Sequence, residues 1–275
     1  MISQKNIDNG SEFDWGLASS DYAKYRDIYP KEFYRRITDL GLCTHGQNVL
    51  DLATGTGVLP RNMSKYGAKW TGADISQNQI AYAKKLSEAA GLNIDYIVSP
   101  AEELEFPSDS FDVITACQCF MYFDKDRLIP KIHKWLNPNG HFLILFMAWL
   151  PYESEIAMNS EKLVLKYNPK WSGKGLTRYE VSTPEWSTNY FDAVHKISFD
   201  IDLPFTRESW HGRIKACRGI GASSLPKETI AKWEQEHLTM LKSVPKNFTI
   251  PHYATILDLK KKSEQNYFNF FQKIC

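Results

Sequence analysis

The sequence has few cysteines, no cysteine spacing that indicates a metal site, and almost no net charge. Its five cysteines are an odd number and lack Cys-x-x-Cys spacing, which predicts neither a disulfide framework nor a zinc site. With 33 basic and 32 acidic side chains the formal net charge is +1, so no overall field attracts nucleic acid or an anionic membrane. These absences favour a protein that acts on small molecules.

Long apolar runs are also absent. Nowhere do ~18 apolar residues follow one another, as a membrane-spanning helix requires, and residues 1–10 are polar where a secretory signal would be apolar. We therefore expect a reduced, cytoplasmic protein that binds neither nucleic acid nor a membrane and is a monomer or a homodimer. We also expect residues 1–20 to form a loosely held arm.

Between residues 48 and 146, apolar runs alternate with segments of helix length. Such alternation predicts a parallel sheet with helices on both faces. The runs that predict strands are 49–52, 69–74, 94–98, 111–116 and 141–146. The segments that predict helices are 57–66, 76–90, 125–136 and, interrupted at Pro30, 21–41.

After residue 148 this alternation is lost. Residues 149–192 are irregular and rich in Trp and Tyr, which indicates either a small accessory core or the wall of a ligand pocket. The segments that follow predict a strand at 194–203, helices near 206–217 and 226–242, and a last strand over about 249–259. Residues 264–275 mix lysine with aromatics and leave a closing helix or a tail open.

A glycine-rich turn follows the first predicted strand. Residues 49–57 read VLDLATGTG and lie between a strand and a helix, the context in which such a loop binds a nucleotide or a nucleoside. The G-x-G-x-x-G fingerprint of dinucleotide binding fails because Pro60 replaces its third glycine. Asp51 beneath the loop would repel a pyrophosphate, whereas S-adenosylmethionine is cationic at its sulfonium and ammonium groups and has no phosphate. Asp51 therefore favours the methyl donor.

A second acidic residue, Asp74, ends the next predicted strand, 17 residues after Gly57. A carboxylate there can accept hydrogen bonds from both ribose hydroxyls, as it does in NAD enzymes. Asp74 alone does not discriminate between the two cofactors. Together with Asp51 and the glycine pair, it indicates S-adenosylmethionine.

These motifs resemble the class I S-adenosylmethionine-dependent methyltransferases, and in particular the type 11-like group. The stretch AEELEFPSDSFD at 101–112 is similar to the segment that surrounds the adenine in that family, and LNPNGH at 136–141 to its turn before the fifth strand. The resemblance covers about residues 45–147. It implies an α/β, Rossmann-like fold with a seven-stranded, mostly parallel sheet, an antiparallel last strand, helices on both faces and a cap inserted after strand five.

A narrower resemblance concerns the N-terminal run YAKYRDIYP at 22–30. It is similar to the lid helix of a subgroup that includes enzymes related to trans-aconitate methyltransferases. This similarity implies a small organic acceptor, either carboxylate-bearing or aromatic. The chain would then comprise a lid helix and cofactor-binding half at 1–148, an aromatic-rich cap at 149–193, and a C-terminal half at 194–275 that completes the sheet.

The family resemblance also implies which residues bind the cofactor. Its glycine-rich loop holds the methionine part, and the acid after the second strand holds the ribose. The implied set is Tyr25, Arg26, Asp51, Ala53, Thr54, Gly55, Gly57, Asp74, Ile75, Ala101, Glu102, Cys117, Gln118 and Tyr122.

Two positions depart from the family pattern, and several assignments stay open. Ala53 replaces the first loop glycine, and Pro100 stands where an acid often contacts the adenine amine, a role left to Glu102. Arg26 either packs a peripheral helix or donates to the methionine carboxylate, which its planar fork suits. Four basic residues at helical spacing form either a solvated face or an attractor for a carboxylate-bearing acceptor; they are Arg207, His211, Lys215 and Arg218.

The reaction expected from this resemblance is methyl transfer to a small molecule by in-line displacement. Such a reaction depends mainly on positioning, and a carboxylate or thiolate acceptor needs no general base. We therefore assign no catalytic residue and expect no metal. Two alternatives remain: a non-catalytic protein that binds S-adenosylmethionine or S-adenosylhomocysteine, and an NAD-dependent oxidoreductase, which Pro60 and Asp51 oppose.

Overall fold

The first apolar run of the sequence forms the central strand of a sheet. This strand, β1 (Asn48–Leu52), has four of its five residues buried, as expected where helices cover both faces of a parallel sheet. In the computed structural model, which describes residues 2–263, β1 pairs in parallel with β2 (Lys69–Asp74) and with β4 (Phe111–Cys117). Consecutive residues point to opposite faces, so Val49 and Leu50 belong to two separate apolar clusters.

Seven strands form the sheet, in the order β3-β2-β1-β4-β5-β7-β6. The remaining strands are β3 (Asp95–Val98), β5 (Leu136–Trp149), β6 (Phe191–Thr206) and β7 (Asn247–Lys261). Strand β7 runs antiparallel to both of its neighbours, β5 and β6, whereas the pairs among β1 to β5 are parallel. The predicted seven-stranded, mostly parallel α/β sheet with an antiparallel last strand is confirmed.

Eight helices pack around this sheet in the part of the chain that the structure describes. They are α1 (Ser19–Tyr25), α2 (Lys31–Thr38), α3 (Val58–Met63), α4 (Gln77–Ala89), α5 (Lys125–Trp135), α6 (Glu155–Tyr167), α7 (Arg207–Lys215) and α8 (Lys227–Leu241). Side-chain caps begin several of them: the hydroxyl of Ser76 accepts from the Gln79 amide at α4, and the carboxylate of Asp124 accepts from the Arg127 amide at α5. The predicted starts of these two helices, at 76 and 125, lie within one residue of the observed ones.

The prediction of irregular structure over 149–192 is wrong for α6. Ser154 caps this helix by accepting a hydrogen bond from the Ala157 amide, and Ala157, Ser160 and Val164 are buried on one face. Two buried positions of α6 hold the polar residues Ser160 and Glu161. The apolar pattern that predicts a helix is therefore incomplete over this segment. Strand β5 is also longer than predicted, since Leu136 already pairs with Phe111 ahead of a bulge at 137–140.

The N-terminal arm is held more firmly than its composition indicates. Ile2 pairs with Phe13, and Phe13 pairs with Ser223, so the expectation of a loosely held segment over 1–20 is wrong for this part of it. Phe13 is also buried. The closing helix or tail considered for 264–275 lies outside the described residues.

Within residues 2–263, no helix combines the length and the apolar character needed to cross a membrane.

Candidate functional site

A cavity of about 430 Å³ lies over the carboxyl ends of the parallel strands. Its floor is formed by the segments that follow β1, β2 and β4, with Ala53, Asp74 and Cys117 among the lining residues. The strand order reverses between β1 and β4, and ligands of open α/β sheets bind at such a switch point. The volume lies within the ~300–1,000 Å³ range typical of small-molecule sites.

The glycine-rich turn is built from left-handed backbone. The φ angles of Ala53, Gly55 and Gly57 are 49°, 58° and 72°, which lets the chain reverse between β1 and α3. A Cβ on Gly57 would lie 2.3 Å from the hydroxyl oxygen of Tyr96, so this glycine is needed for packing beneath the loop. Gly55 instead lines the cavity beside the Tyr22 ring.

Ala53 adopts a conformation that favours glycine. A left-handed L-residue costs about 1–2 kcal/mol, and glycine loses about 0.5–1 kcal/mol more on ordering than alanine. We therefore expect Ala53→Gly to raise the free energy of unfolding by roughly 0.5–1 kcal/mol, measured by chemical denaturation. Ala116→Gly, in β4, is the matched control and should lower it. If Ala53→Gly were no more stable than wild type, the backbone of Ala53 would not be strained in its left-handed conformation.

Asp51 lies beneath the loop and does not line the cavity. Its carboxylate accepts hydrogen bonds from the hydroxyls of Thr54 and Thr115, both at 2.6 Å. Burial raises the pKa of Asp51 to about 6, against the lowering effect of the two hydroxyls. A charge that is retained in so buried a position places negative potential directly under the turn.

Asp74 has a double function in the site. One carboxylate oxygen accepts from the Gly55 amide at 2.9 Å and the other from the Ser76 amide at 2.8 Å, so the side chain ties the glycine-rich loop to the end of β2. The side chain also lines the cavity, and burial raises its pKa. Each oxygen retains a further acceptor position.

The segment after β4 offers no evident general base. Cys117 donates to the hydroxyl of Tyr29, and burial raises the pKa of the thiol to about 12. Gln118 has a φ of 65° and donates to the Met147 carbonyl. The Tyr122 hydroxyl accepts from Arg218 at 2.6 Å, and burial raises its pKa. No histidine is found among the described residues that line the cavity.

The N-terminal arm forms part of the roof of the cavity. Ile2 and Ile7 line it, and Asp8 pairs with Arg218 at 2.6 Å, with both side chains largely buried. Asp8 also accepts from the backbone amide and the hydroxyl of Ser172, so one carboxylate joins the arm, the segment after α6 and the segment after α7. The cavity is therefore closed by elements distant in sequence.

The structure brings most of the predicted cofactor residues to this cavity. Those that line it are Arg26, Ala53, Gly55, Asp74, Ile75, Ala101, Glu102, Cys117, Gln118 and Tyr122. Asp51, Thr54 and Gly57 are not among the lining residues; the Asp51–Thr54 hydrogen bond and the Gly57–Tyr96 contact lie within the loop and beneath it. The assignment of these residues to a cofactor stays a prediction.

Tyr25 is the predicted residue that the structure directs elsewhere. Its ring packs against Gly212, and its hydroxyl donates to Glu208 at 3.1 Å. Tyr22, one turn earlier on α1, lines the cavity instead. Two tyrosines three residues apart were both available, and only packing against α7 decides which one faces inward.

The basic residues considered for acceptor binding are mostly engaged outside the cavity. Arg207 donates to the Val244 carbonyl, Lys215 pairs with Asp21 and Glu234, and the imidazole of His211 contacts that of His237; these three do not line the cavity. Arg218 does line it, paired with Asp8.

Lining residues that were not singled out from the sequence include Trp15, Lys174 and Arg213. Tyr22, from the run at 22–30, also lines the cavity, as do Trp149 and Trp171 of the aromatic-rich segment for which a pocket wall was one of two alternatives. For Arg213 a signal was available: it lies between Trp210 and Ile214 on the buried face of α7, where an arginine is unexpected.

Residues 2–263 contain no group of three or more His, Cys, Asp or Glu side chains placed to hold a metal ion.

Comparison with known proteins identifies the domain. Residues 49–140 match the model of a methyltransferase domain. The chain is 34% identical over 114 residues to a demethylmenaquinone methyltransferase of Thermus thermophilus, covering 40% of this chain and 52% of that protein. It is 30% identical over 148 residues to a ubiquinone biosynthesis O-methyltransferase of Bradyrhizobium diazoefficiens, covering 53% and 57% respectively. The chain thus spans about half the length of the curated relatives it matches.

Solved structures show the same fold. The YcgJ protein of Bacillus subtilis has a TM-score of 0.51 and 22% identity, covering 86% of this chain and 100% of that one. Phosphoethanolamine N-methyltransferase 2 of Haemonchus contortus, in complex with S-adenosylhomocysteine, has a TM-score of 0.50 and 18% identity, covering 90% and 58%. The predicted resemblance to class I methyltransferases is confirmed at the level of domain and fold. The similarity to the trans-aconitate subgroup stays a prediction.

Proposed function

We propose that this chain, which carries a methyltransferase domain, transfers the methyl group of S-adenosylmethionine to a small-molecule acceptor in the cavity over β1, β2 and β4. The observation that carries the proposal is the pairing of Asp74 with the Gly55 loop. The buried Asp74 carboxylate lines the cavity beside this loop, and an acidic residue at the end of the second strand is suited to accept hydrogen bonds from ribose hydroxyls.

The ribose and adenine would lie at the end of β2. Asp74 offers two carboxylate oxygens to the two ribose hydroxyls. Ile75 follows it on the cavity lining with 52% of its surface exposed, and Ala101 and Pro100 line the cavity as well. These apolar surfaces suit an adenine ring. Glu102 lines the cavity too, although its carboxylate already accepts from the Asp124 amide at 2.8 Å.

The methionine carboxylate would be bound by Arg26. Among the described residues, no carboxylate pairs with this guanidinium, which stacks over the Tyr22 ring at 4.7 Å. Tyr22 in turn borders Gly55. Arg26 is therefore a cation beside the loop that lacks an anionic partner, and a planar guanidinium can donate two parallel hydrogen bonds to a carboxylate.

The acceptor would occupy the other end of the cavity, between the segment after β4 and the cap. Met147, Trp149, Trp171 and Leu176 make this end apolar and aromatic. The relatives named for demethylmenaquinone and ubiquinone biosynthesis support an aromatic acceptor. The likeness of residues 22–30 to the trans-aconitate subgroup supports a carboxylate-bearing one.

The residues of this chain would act by positioning. When bound, S-adenosylmethionine supplies an electrophilic methyl group on a sulfonium. The arm and the cap exclude water, and the cavity walls hold the acceptor atom in line, an effect that can lower a barrier by about 7–11 kcal/mol. Burial raises the pKa of the Cys117 thiol and of the Tyr122 phenol, so both stay protonated at neutral pH and neither can act as a general base. An acceptor whose reacting atom is already deprotonated therefore suits this site best.

Calorimetric titration of the purified protein tests this function. We expect micromolar binding of S-adenosylmethionine and S-adenosylhomocysteine and no binding of NAD. Formation of S-adenosylhomocysteine in the presence of an acceptor would then exclude a protein that only binds the cofactor. Binding of NAD, or binding of neither methyl-donor ligand, would overturn the proposal.

A further inference from the structure

The guanidinium of Arg213 is buried in the cavity wall without an anionic partner. Arg213 is 3% exposed and lines the cavity. Across residues 2–263 no carboxylate lies within salt-bridge distance of it. Its recorded hydrogen bond is from Nη1 to the sulfur of Cys217 at 3.1 Å, and its Nε has no partner. Buried charges are normally paired, because removing a charge from water is costly.

A second cation increases this imbalance. Nη1 of Arg26 lies 3.7 Å from the same Cys217 sulfur, so two guanidinium groups converge on one side chain whose thiol itself donates to the Arg213 carbonyl. Burial and the positive charge of Arg26 lower the pKa of Arg213 to about 10, which still leaves it cationic at neutral pH. Two unpaired cations in one enclosed space indicate two anionic groups to be bound.

Beyond their shared contact with Cys217, the two guanidinium groups stack on different aromatic rings. Arg26 stacks on Tyr22, which borders Gly55 in the loop after β1. Arg213 stacks on Trp149, at the end of β5, with 4.9 Å between its Cζ and the ring centroid. If the cofactor is bound as proposed above, its single carboxylate satisfies Arg26 and leaves Arg213 facing the acceptor.

We propose that Arg213 binds a carboxylate of the methyl acceptor, so that the acceptors of this protein are small organic acids with an apolar or aromatic body. This inference rests on the proposed function. The planar fork of a guanidinium matches a carboxylate in a bidentate manner. Trp149 and Trp171 offer apolar surface to the body of such an acid, and Arg218 is not free to compete because Asp8 already pairs with it.

Matched pairs of charged and neutral probes test the inference in protein saturated with S-adenosylhomocysteine. The probes are phenylacetate, decanoate, their primary amides, and phenyl phosphate, titrated calorimetrically. We expect at least one carboxylate to bind tenfold or more tightly than its amide in wild type, and Arg213→Met to abolish this preference. Arg207→Met, on the same helix but outside the cavity, should keep it.

Three results would overturn the inference. Carboxylates that bind no better than their amides would contradict the inference. Tighter binding of phenyl phosphate than of phenylacetate would also contradict it. A tenfold loss of S-adenosylhomocysteine affinity in Arg213→Met would assign Arg213 to the cofactor carboxylate instead. We expect that affinity to change less than twofold.

Melting temperature separates ligand binding from a structural role. A charge kept unpaired for a ligand destabilises the empty protein, so ligand-free Arg213→Met should melt at or above the wild-type temperature. A lower melting temperature would show that Arg213 supports the fold and would contradict the inference. If wild type fails to bind S-adenosylhomocysteine, the same probes are titrated into ligand-free protein. An Arg213-dependent preference for carboxylates there would mean that the proposed function fails and this anion site stands.

Discussion

Replacing Asp74 with alanine is expected to weaken binding of S-adenosylhomocysteine by at least 100-fold. Two hydrogen bonds from ribose hydroxyls to a charged acceptor contribute about 1.5–3 kcal/mol each, and 100-fold corresponds to about 2.7 kcal/mol. The carboxylate is largely buried, so little solvent competes for it. Calorimetric titration of wild type and Asp74→Ala measures the loss.

The same substitution also removes the acceptor for the Gly55 and Ser76 amides, so loop distortion has to be separated from lost ribose contacts. Adenosine and 2′-deoxyadenosine make this separation, because they differ by one hydroxyl. Wild type should prefer adenosine at least tenfold, and Asp74→Ala should bind both equally. A variant that keeps the preference for adenosine would show that Asp74 does not contact the ribose.

Replacing Asp51 with asparagine is expected to stabilise the protein at pH 7 and to have little effect at pH 4. Burial raises the pKa of Asp51 from 3.8 to about 6, so ionising it in the folded state costs about 3 kcal/mol at pH 7. At pH 4 the folded protein holds a proton on Asp51, and the amide is close to that neutral acid in shape.

The direction of this pH dependence follows from proton counts. Between about pH 4 and pH 6 the unfolded chain has released the proton of Asp51 while the folded protein retains it. The contribution of Asp51 to the free energy of unfolding of wild type therefore falls as pH rises through that window, and it stays low at higher pH. Denaturant unfolding of wild type and Asp51→Asn at each pH should give a difference that grows by about 2 kcal/mol from pH 4 to pH 7.

Thr115→Val provides a matched test of the same carboxylate. The Thr115 hydroxyl lowers the pKa of Asp51, and valine keeps its shape without the donor. This variant should lose more stability at pH 7 than at pH 4, because the hydrogen bond favours the ionised form. A pH-independent difference in both Asp51→Asn and Thr115→Val would contradict a raised pKa at Asp51.

Local pattern was sufficient to predict the sheet and much of the cavity floor. The runs at 49–52 and 69–74 are apolar strands bounded by turn residues, and β1 and β2 occupy them with the observed starts within one residue. Parallel strands present their carboxyl ends at one edge of the sheet. Asp74 and the glycine-rich loop both follow or end such strands, so the sequence predicted that they lie close together. Helix α6 was missed because Ser160 and Glu161 occupy its buried face.

The cavity roof was not predictable in the same way. Asp8 and Arg218 are 210 residues apart, and their ion pair depends on how the arm and α7 pack. Helical spacing alone grouped Arg218 with Arg207 and Lys215, yet spacing does not say which side of α7 faces the core. Trp210 and Ile214 settle that orientation by their burial, and Arg213 turns inward with them.

The sequence by itself determined the α/β class, the order of the central elements and the acidic and glycine residues of the loop. These depend on hydrophobic period and on turn chemistry, which act over a few neighbouring residues. Tertiary structure alone decided that Tyr22 rather than Tyr25 lines the cavity, and that Arg26 and Arg213 converge on Cys217 without carboxylate partners. Charge pairing across a core depends on which distant helices pack together, and no local pattern carries that information.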